Sequence, residues 1–454
     1  MMRRRLRSGM AAAALVLLVA ALLAVTDGLR FDRLALQPSP DELLPEGITG
    51  VVHQQQWVVH GTADERLEEL QLSVPCQVYV SFVASPVQDQ LATIRVLALD
   101  DASLGSFDVS PVTPNGVSLH LLESVSTQFK TWMRAEVIVH RESSVQRIRA
   151  TGSGDVIIEN DVVVHDDPTQ SVLYETRLSG DLFLLSQPQI RLASMSMLVG
   201  GSGDVSMILA GDPVAVDFWS ILTTGSGDFI ASGTQRITVN RNLSTISQGS
   251  GSVCIDSPWV DLTRTSVVSA GSGDISIGRA GTCDAELCSV MGSGDIYVAP
   301  LQCIDAGVEL FGSGNAMVQA NRSISGHRFG SGSIKYVGEG PLEFMDKRTS
   351  STGKIRPIAK PTHASIVRPC VLPIVPLKQL DIVDVSLVAG KMPSSVESGD
   401  GSSVHATTGF TFHIRLTYIF IAIAIFATWR YMRYREASRD ERAPLLGSDQ
   451  PVYV

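Results

Sequence analysis

The sequence predicts an all-β fold, a right-handed parallel β-helix (solenoid) of about ten GSGD-type coils, followed by one C-terminal transmembrane α-helix. Three observations carry that expectation. A four-residue motif returns at nearly constant spacing, the residues after each copy alternate between apolar and mixed, and an uncharged apolar run followed by arginines lies near the C terminus.

The motif comes first. Gly152-Ser153-Gly154-Asp155 recurs intact as Gly201, Gly203 and Asp204, as Gly225, Gly227 and Asp228, as Gly271, Gly273 and Asp274, and as Gly292, Gly294 and Asp295. Degenerate copies fill the gaps: Ser179-Gly180-Asp181, Gly249 to Ser252 around Gly251, Gly312 to Asn315 around Gly314, Gly330 to Ser333, and a worn copy at Ser351 to Lys354. With Leu178 and Ser351 as aligned starts, the steps lie between 18 and 26 residues. The first position after each motif is Val156, Leu182, Val205, Phe229, Val253, Ile275, Ile296, Ala316 or Ile334, and the third is again apolar or, at Tyr336, aromatic. The position between them is mixed, with Ser206, Ser276 and Lys335 among its members. A period of two with one apolar side is a half-buried strand. One such strand makes no core, whereas coils stacked at about 4.8 Å pair every strand with the coils above and below. The glycines are expected at the corner, where a sharp turn and a positive φ favour glycine.

On these GSGD strand starts the chain resembles the auto-transporter adhesin, head GIN domain family. The likeness extends upstream, where Met133 to His140 (MRAEVIVH) and Val145 to Ala150 (VQRIRA) run into the first motif. It covers roughly residues 50 to 355 and implies a β-helical, adhesin-like protein. A transmembrane tail and longer, less regular early coils depart from the family pattern.

The two ends suggest an exported, anchored chain. Four arginines in Met1 to Arg7 precede the apolar run Met10 to Val25, the form of a signal peptide or signal anchor over residues 1–27. A leader follows at 28–49, a β-rich lead-in with N-terminal coils at 50–150, and the GSGD-repeat β-helix at 151–356. Pro357, Pro361, Pro369, Pro373 and Pro376 and then a Ser/Gly-rich stretch make 357–409 a stalk. Leu416 to Trp429 lacks charge, and a transmembrane helix is expected at 410–432. The arginines after it place the tail, 433–454, in the cytosol, giving a single-pass type I membrane protein. In that tail Glu441, Leu445 and Leu446 fit an acidic dileucine signal for clathrin-adaptor-type sorting machinery, which points to the endosomal, lysosomal or vacuolar system or the cell surface.

Smaller features complete the expectation. A net charge of −10 argues against nucleic acid as a partner. The six cysteines favour disulfides: Cys283 and Cys303 hold equivalent places nine residues before adjacent motifs, Cys254 and Cys288 lie near them, and Cys76 with Cys370 could clasp the ends. Asn242 and Asn321 head glycosylation sequons expected on inter-motif loops. The aspartates of one register have two readings, a Ca2+-binding edge or acceptors for amides of their own turns. The scattered histidines and the absence of paired carboxylates at repeat-related places give no catalytic residues, no phosphate loop and no zinc spacing. The function expected is non-enzymatic: a membrane-anchored, adhesin-like or ligand-binding β-helix facing the lumen or cell exterior, with a glycan or protein ligand. A structural or protective coat and a polysaccharide-active enzyme are the alternatives.

Overall fold

The computed structural model describes residues 29–39, 49–62, 64–122, 128–187, 189–209, 213–233, 235–346, 359–362, 370–371 and 373–386. Each coil of the column is a long strand, a glycine corner, a short strand and a return loop. Thus Val214–Thr223 leads through Gly225 to Asp228 into Phe229–Gly233, and Trp259–Ser269 leads through Gly271 to Asp274 into Ile275–Ile277. Among the described residues these strands form two sheets, of 17 and 13 strands.

The short strands pair in parallel with motif against motif: Val156 with Leu182, Leu182 with Val205, Val205 with Phe229, Phe229 with Val253, and on through Ile275, Ile296 and Ala316 to Ile334. Their first and third residues point inward, so Val205, Met207, Ile275 and Ile277 are all buried. Each such side chain contributes roughly 1.5–3 kcal/mol when removed from water. The β-solenoid expected from the motif is therefore present. The next strand of that ladder is Ala359–Pro361, paired with Ile334–Tyr336. The worn copy at 351–354 lies outside the described residues.

The long strands form the other wall, parallel from Arg147–Ala150 through to Glu343–Asp346. Their apolar phase slips once in mid-strand. Val214 and Val216 face inward, Phe218 is exposed, and Trp219 and Ile221 are buried again, with a register shift against the next coil at Val216/Phe218. A bulge of this kind carries two residues past one and changes which parity faces the core.

A coil whose corner carries no glycine precedes the motifs. Glu69–Ser73 pairs in parallel with Arg147–Ala150, and Val78–Phe82 pairs with Val156–Ile158, so Val74 to Gln77 is a corner beneath Gly152 to Asp155. Beneath it Gly116–Leu121 and Gln128–Val139 add one more parallel layer, and beyond that the sheet becomes antiparallel: Gln128–Val139 pairs with Gln90–Ala98, which pairs with His53–His60, which pairs with Arg30–Arg33. These strands close the end of the parallel column with a different ladder, one device by which sheets avoid a bare edge.

After the column, residues 370–386 return along the outside of the short-strand sheet. Cys370 is bonded to Cys254, the Tyr79 hydroxyl donates to the Pro376 carbonyl at 3.3 Å, Lys378 meets Glu136 at 3.2 Å, and Asp381–Ser386 pairs antiparallel with Gln128–Val139. Val375 packs on an outward cluster of Tyr79, Ile157 and Phe183. This part of the expected stalk is thus a strap on the column.

The membrane helix is corrected. No helix among the described residues is long and apolar enough to cross a membrane. The described helix, Asp101–Leu104, has one turn, about 6 Å long, against roughly 30 Å of hydrocarbon. Residues 410–432 lie outside the described residues, as do the signal at 1–27 and Glu441, Leu445 and Leu446 in the tail. The fold class that stands is an all-β solenoid, and the transmembrane element is withdrawn.

Candidate functional site

The motif edge is bound together by its own side chains. Asp155 Oδ1 accepts the backbone N–H of Asp181 at 3.0 Å, Asp181 that of Asp204 at 2.8 Å, Asp204 that of Asp228 at 2.7 Å, and Asp228 that of Ser252 at 2.7 Å. The series continues through Ser252, Asp274, Asp295 and Asn315 to the N–H of Ser333. Each acceptor therefore serves the next coil, not its own turn as the sequence suggested. Ser252 and Asn315 take the same role without charge, so hydrogen-bond acceptance is the shared requirement. The carboxylates are used inside the edge, and among the described residues the ladder yields no set of metal-ligating groups.

Burial raises the carboxyls of Asp155, Asp181 and Asp204 above the ordinary range, opposed by the amide each accepts and reinforced by neighbouring aspartates. A raised folded value means stability is fully present below the unfolded value and is lost as pH rises through the folded one. The triple change to asparagine should thus be more stable than the parent at neutral pH, with the gap closing on acidification when melting temperatures are compared across pH. Asp204→Ala removes the acceptor altogether and should cost about 1–3 kcal/mol by denaturant unfolding, whereas Asp204→Asn should not.

The glycines are required by contact. Among the motif glycines described, Gly201 alone has a positive φ, at 106°. A Cβ on Gly227 would lie 2.0 Å from the Gly203 carbonyl oxygen, and one on Gly251 would lie 2.0 Å from that of Gly227. The expected positive φ is corrected to close packing of one corner on the next.

Beside these corners the residue preceding the motif faces outward. Toward the C-terminal end it is Met291, then Phe311, then Phe329, each about half exposed. Phe311 and Phe329 stack with ring centres 5.2 Å apart and planes 7° from parallel. At the other end of the edge a cavity of about 430 Å³ is lined by Gln77, Trp132, Ser153, Asp155 and Asp381 among others. Burial raises the Asp381 carboxyl as it does that of Asp155, and each charge would oppose the other.

Sulfur gathers inside the column. Cys283 and Cys303 face each other on adjacent long strands and are bonded. Cys254 is bonded to Cys370, while Cys76 and Cys288 are free and buried, which corrects the expected Cys76–Cys370 clasp. Cys76 belongs to the first corner, away from the returning strap's bond. Glu286 is only 4% exposed, with Oε1 2.8 Å from Cys288 Sγ and Oε2 3.1 Å from Cys303 Sγ. Burial pushes the Glu286 carboxyl up to about 8 and raises the Cys288 thiol well above its usual value. Glu286 escaped the sequence reading because a lone Glu in a strand looks solvent-facing. The asparagines of both sequons lie on long strands and not on the loops expected, Asn321 exposed and Asn242 half-buried.

Residues 220–340 match the family model described as "Putative auto-transporter adhesin, head GIN domain". The resemblance read from the GSGD copies holds over that stretch. No curated protein matches the chain. Solved structures similar to it include a "putative lipid binding protein" from Parabacteroides distasonis ATCC 8503, at 17% identity and TM-score 0.38, covering 66% of this chain and 100% of that one. A "putative adhesin" from the same strain matches at 12% identity and TM-score 0.31, covering 69% of this chain and 98% of the other. Another "putative adhesin", from Bacteroides fragilis NCTC 9343, matches at 15% identity and TM-score 0.24, covering 70% and 96% respectively. The endosomal, lysosomal or vacuolar membrane location with a cytosolic C terminus is withdrawn: no membrane-crossing helix lies among the described residues, and the matched family is named for auto-transporter adhesins.

Proposed function

We propose, from the premise that residues 220–340 match the head GIN adhesin model, that this chain is an adhesin-like, non-enzymatic binding protein whose column presents a fixed outer surface to a glycan. The observation that carries the reading is the strip of Met291, Phe311 and Phe329 within the matched stretch. Large apolar side chains held outside a folded body at regular spacing form a contact surface more readily than a reaction centre. Aromatic ring faces attract the C–H groups of a pyranose because the face carries partial negative charge. The carboxylates of the neighbouring edge support the same reading, since one oxygen of each is engaged by a backbone amide of the next coil. Free catalytic acids would need to be turned outward.

The test is a glycan array probed with the purified protein. Phe311→Ala/Phe329→Ala should weaken the best signal at least about tenfold while leaving the melting temperature nearly unchanged. Equal binding by that variant would remove the strip from the site. Turnover of the bound glycan would replace the binding reading with an enzymatic one.

A further inference from the structure

The interior column occupied by Trp219, Leu243, Thr265, Glu286, Ala306 and Ile324 on successive long strands is otherwise uncharged, and Glu286 interrupts it. An apolar side chain there would pack without desolvating a carboxylate, so the residue type is not explained by packing. Both of its oxygens face sulfur, and the Cys303 sulfur, being bonded to Cys283, has no hydrogen to donate. The sulfurs of Cys283 and Cys303 and one oxygen of Glu286 lie within 4.8 Å of one another. The Cys288 sulfur, 2.8 Å from the other oxygen, lies outside that set and would turn toward it to complete four ligands. One coil below, the Thr265 hydroxyl is buried without a hydrogen-bond partner.

We propose that this cluster is a redox-gated zinc site, shut while Cys283 and Cys303 are bonded and able to hold one Zn2+ through Cys283, Cys303, Glu286 and Cys288 once that bond is reduced. Three thiolates and a carboxylate suit zinc, and a dry interior calls for a closed, four-ligand set. Thiolate ligands select against Ca2+ and Mg2+, which take oxygen. Cys283, Glu286 and Cys288 share the strand Gly281–Val290, with Cys303 on the adjoining strand, so the site needs only two coils in register. With a phosphine as reductant, the S–S bond breaks, phosphorus supplies two electrons, and one water gives its oxygen to the phosphine oxide and its hydrogens to the two thiols. On ligation the thiols of Cys283, Cys288 and Cys303, and the carboxyl of Glu286 where protonated, release their protons to solvent.

The experiment uses the full chain, treated with a phosphine that does not compete for zinc, and titrates Zn2+ against a chromophoric chelator with native mass spectrometry as the count. The reduced protein should bind one Zn2+ per chain, and the untreated protein none. Glu286→Gln and Cys288→Ser should each weaken binding by at least the roughly 10–100-fold that even supporting partners contribute, while Cys76→Ser should leave it unchanged. Cobalt(II) should give a thiolate charge-transfer band in the reduced parent that Cys283→Ser/Cys303→Ser lacks. If that double variant does not fold, reoxidation of the zinc-loaded parent replaces it: zinc should be expelled as the disulfide re-forms. Zinc retained after reoxidation would overturn the proposal, as would absence of zinc from reduced protein with an intact β-sheet spectrum, or affinities unaltered by Glu286→Gln.

Discussion

Gly227→Ala should cost more than about 3 kcal/mol of stability, enough to leave much of the protein unfolded or aggregated, although it adds a single methyl group. The new Cβ would stand 2.0 Å from the Gly203 carbonyl oxygen and 2.8 Å from its carbon. Both are backbone atoms of the preceding coil, so no side-chain rotation relieves the overlap. Gly203 and Gly227 therefore have to separate, and with them the pairing of Val205 to Phe229 and the hydrogen bond from the Asp228 amide to Asp204. Ser226→Ala, at the exposed residue between two glycines of the same motif, should change stability by less than about 0.5 kcal/mol. Guanidinium unfolding of the two variants beside the parent gives the comparison. A Gly227→Ala protein with parental stability would mean that the corners are not stacked so closely.

Cys370→Ser should lower stability by up to about 4–5 kcal/mol, because Cys254–Cys370 closes a loop with a sequence separation of 116 residues. That figure is the chain-entropy expectation for a loop of this length, and measured effects often fall below it. The loss has a local signature. Residues 373–386 keep the Asp381–Ser386 ladder and the Tyr79 and Lys378 contacts but lose the covalent tie at mid-column. Hydrogen exchange should rise first across that strap and across the outward residues Ile157 and Phe183 beneath it, with the inward ladder from Val205 to Ile277 still protected. Uniform acceleration over the whole column would show that the strap and the coils unfold as one unit.

The short-strand ladder was legible because its signal is doubly written: a glycine motif fixes where each strand begins, and the two inward positions after it are apolar at Val205 and Met207 as at Ile275 and Ile277. The long strands were missed because their alternation changes parity in the middle. Leu262 and Thr265 both face inward although three residues apart, and in the adjoining strand the ladder shifts register between Val239 and Leu243, so the exposed pair Asn240 and Arg241 reads as a loop. The coil ahead of the motifs was expected within 50–150 but could not be given bounds. Its corner, Val74 to Gln77, carries no glycine, so no motif marks it, although Gly152 and Gly154 pack against Val74 and Cys76. Of the candidate site, the aspartate register and the Cys283–Cys303 juxtaposition follow from spacing alone. The return of Cys370 to Cys254 does not, since it depends on the path of the chain after the column, and the role of Glu286 depends on which parity of a bulged strand faces inward.

The acceptors of the motif edge all point the same way along the chain, and this gives the molecule a direction of growth. A coil that has just formed offers the side chain of Asp204 or Asp274 to a peptide group not yet in place. During synthesis, each finished layer is consequently a template for its successor as it emerges from the ribosome. Shortening the chain from its far end would remove the strap and leave one terminal acceptor without its amide, whereas deleting the opening layers would remove the surface on which the rest is laid down.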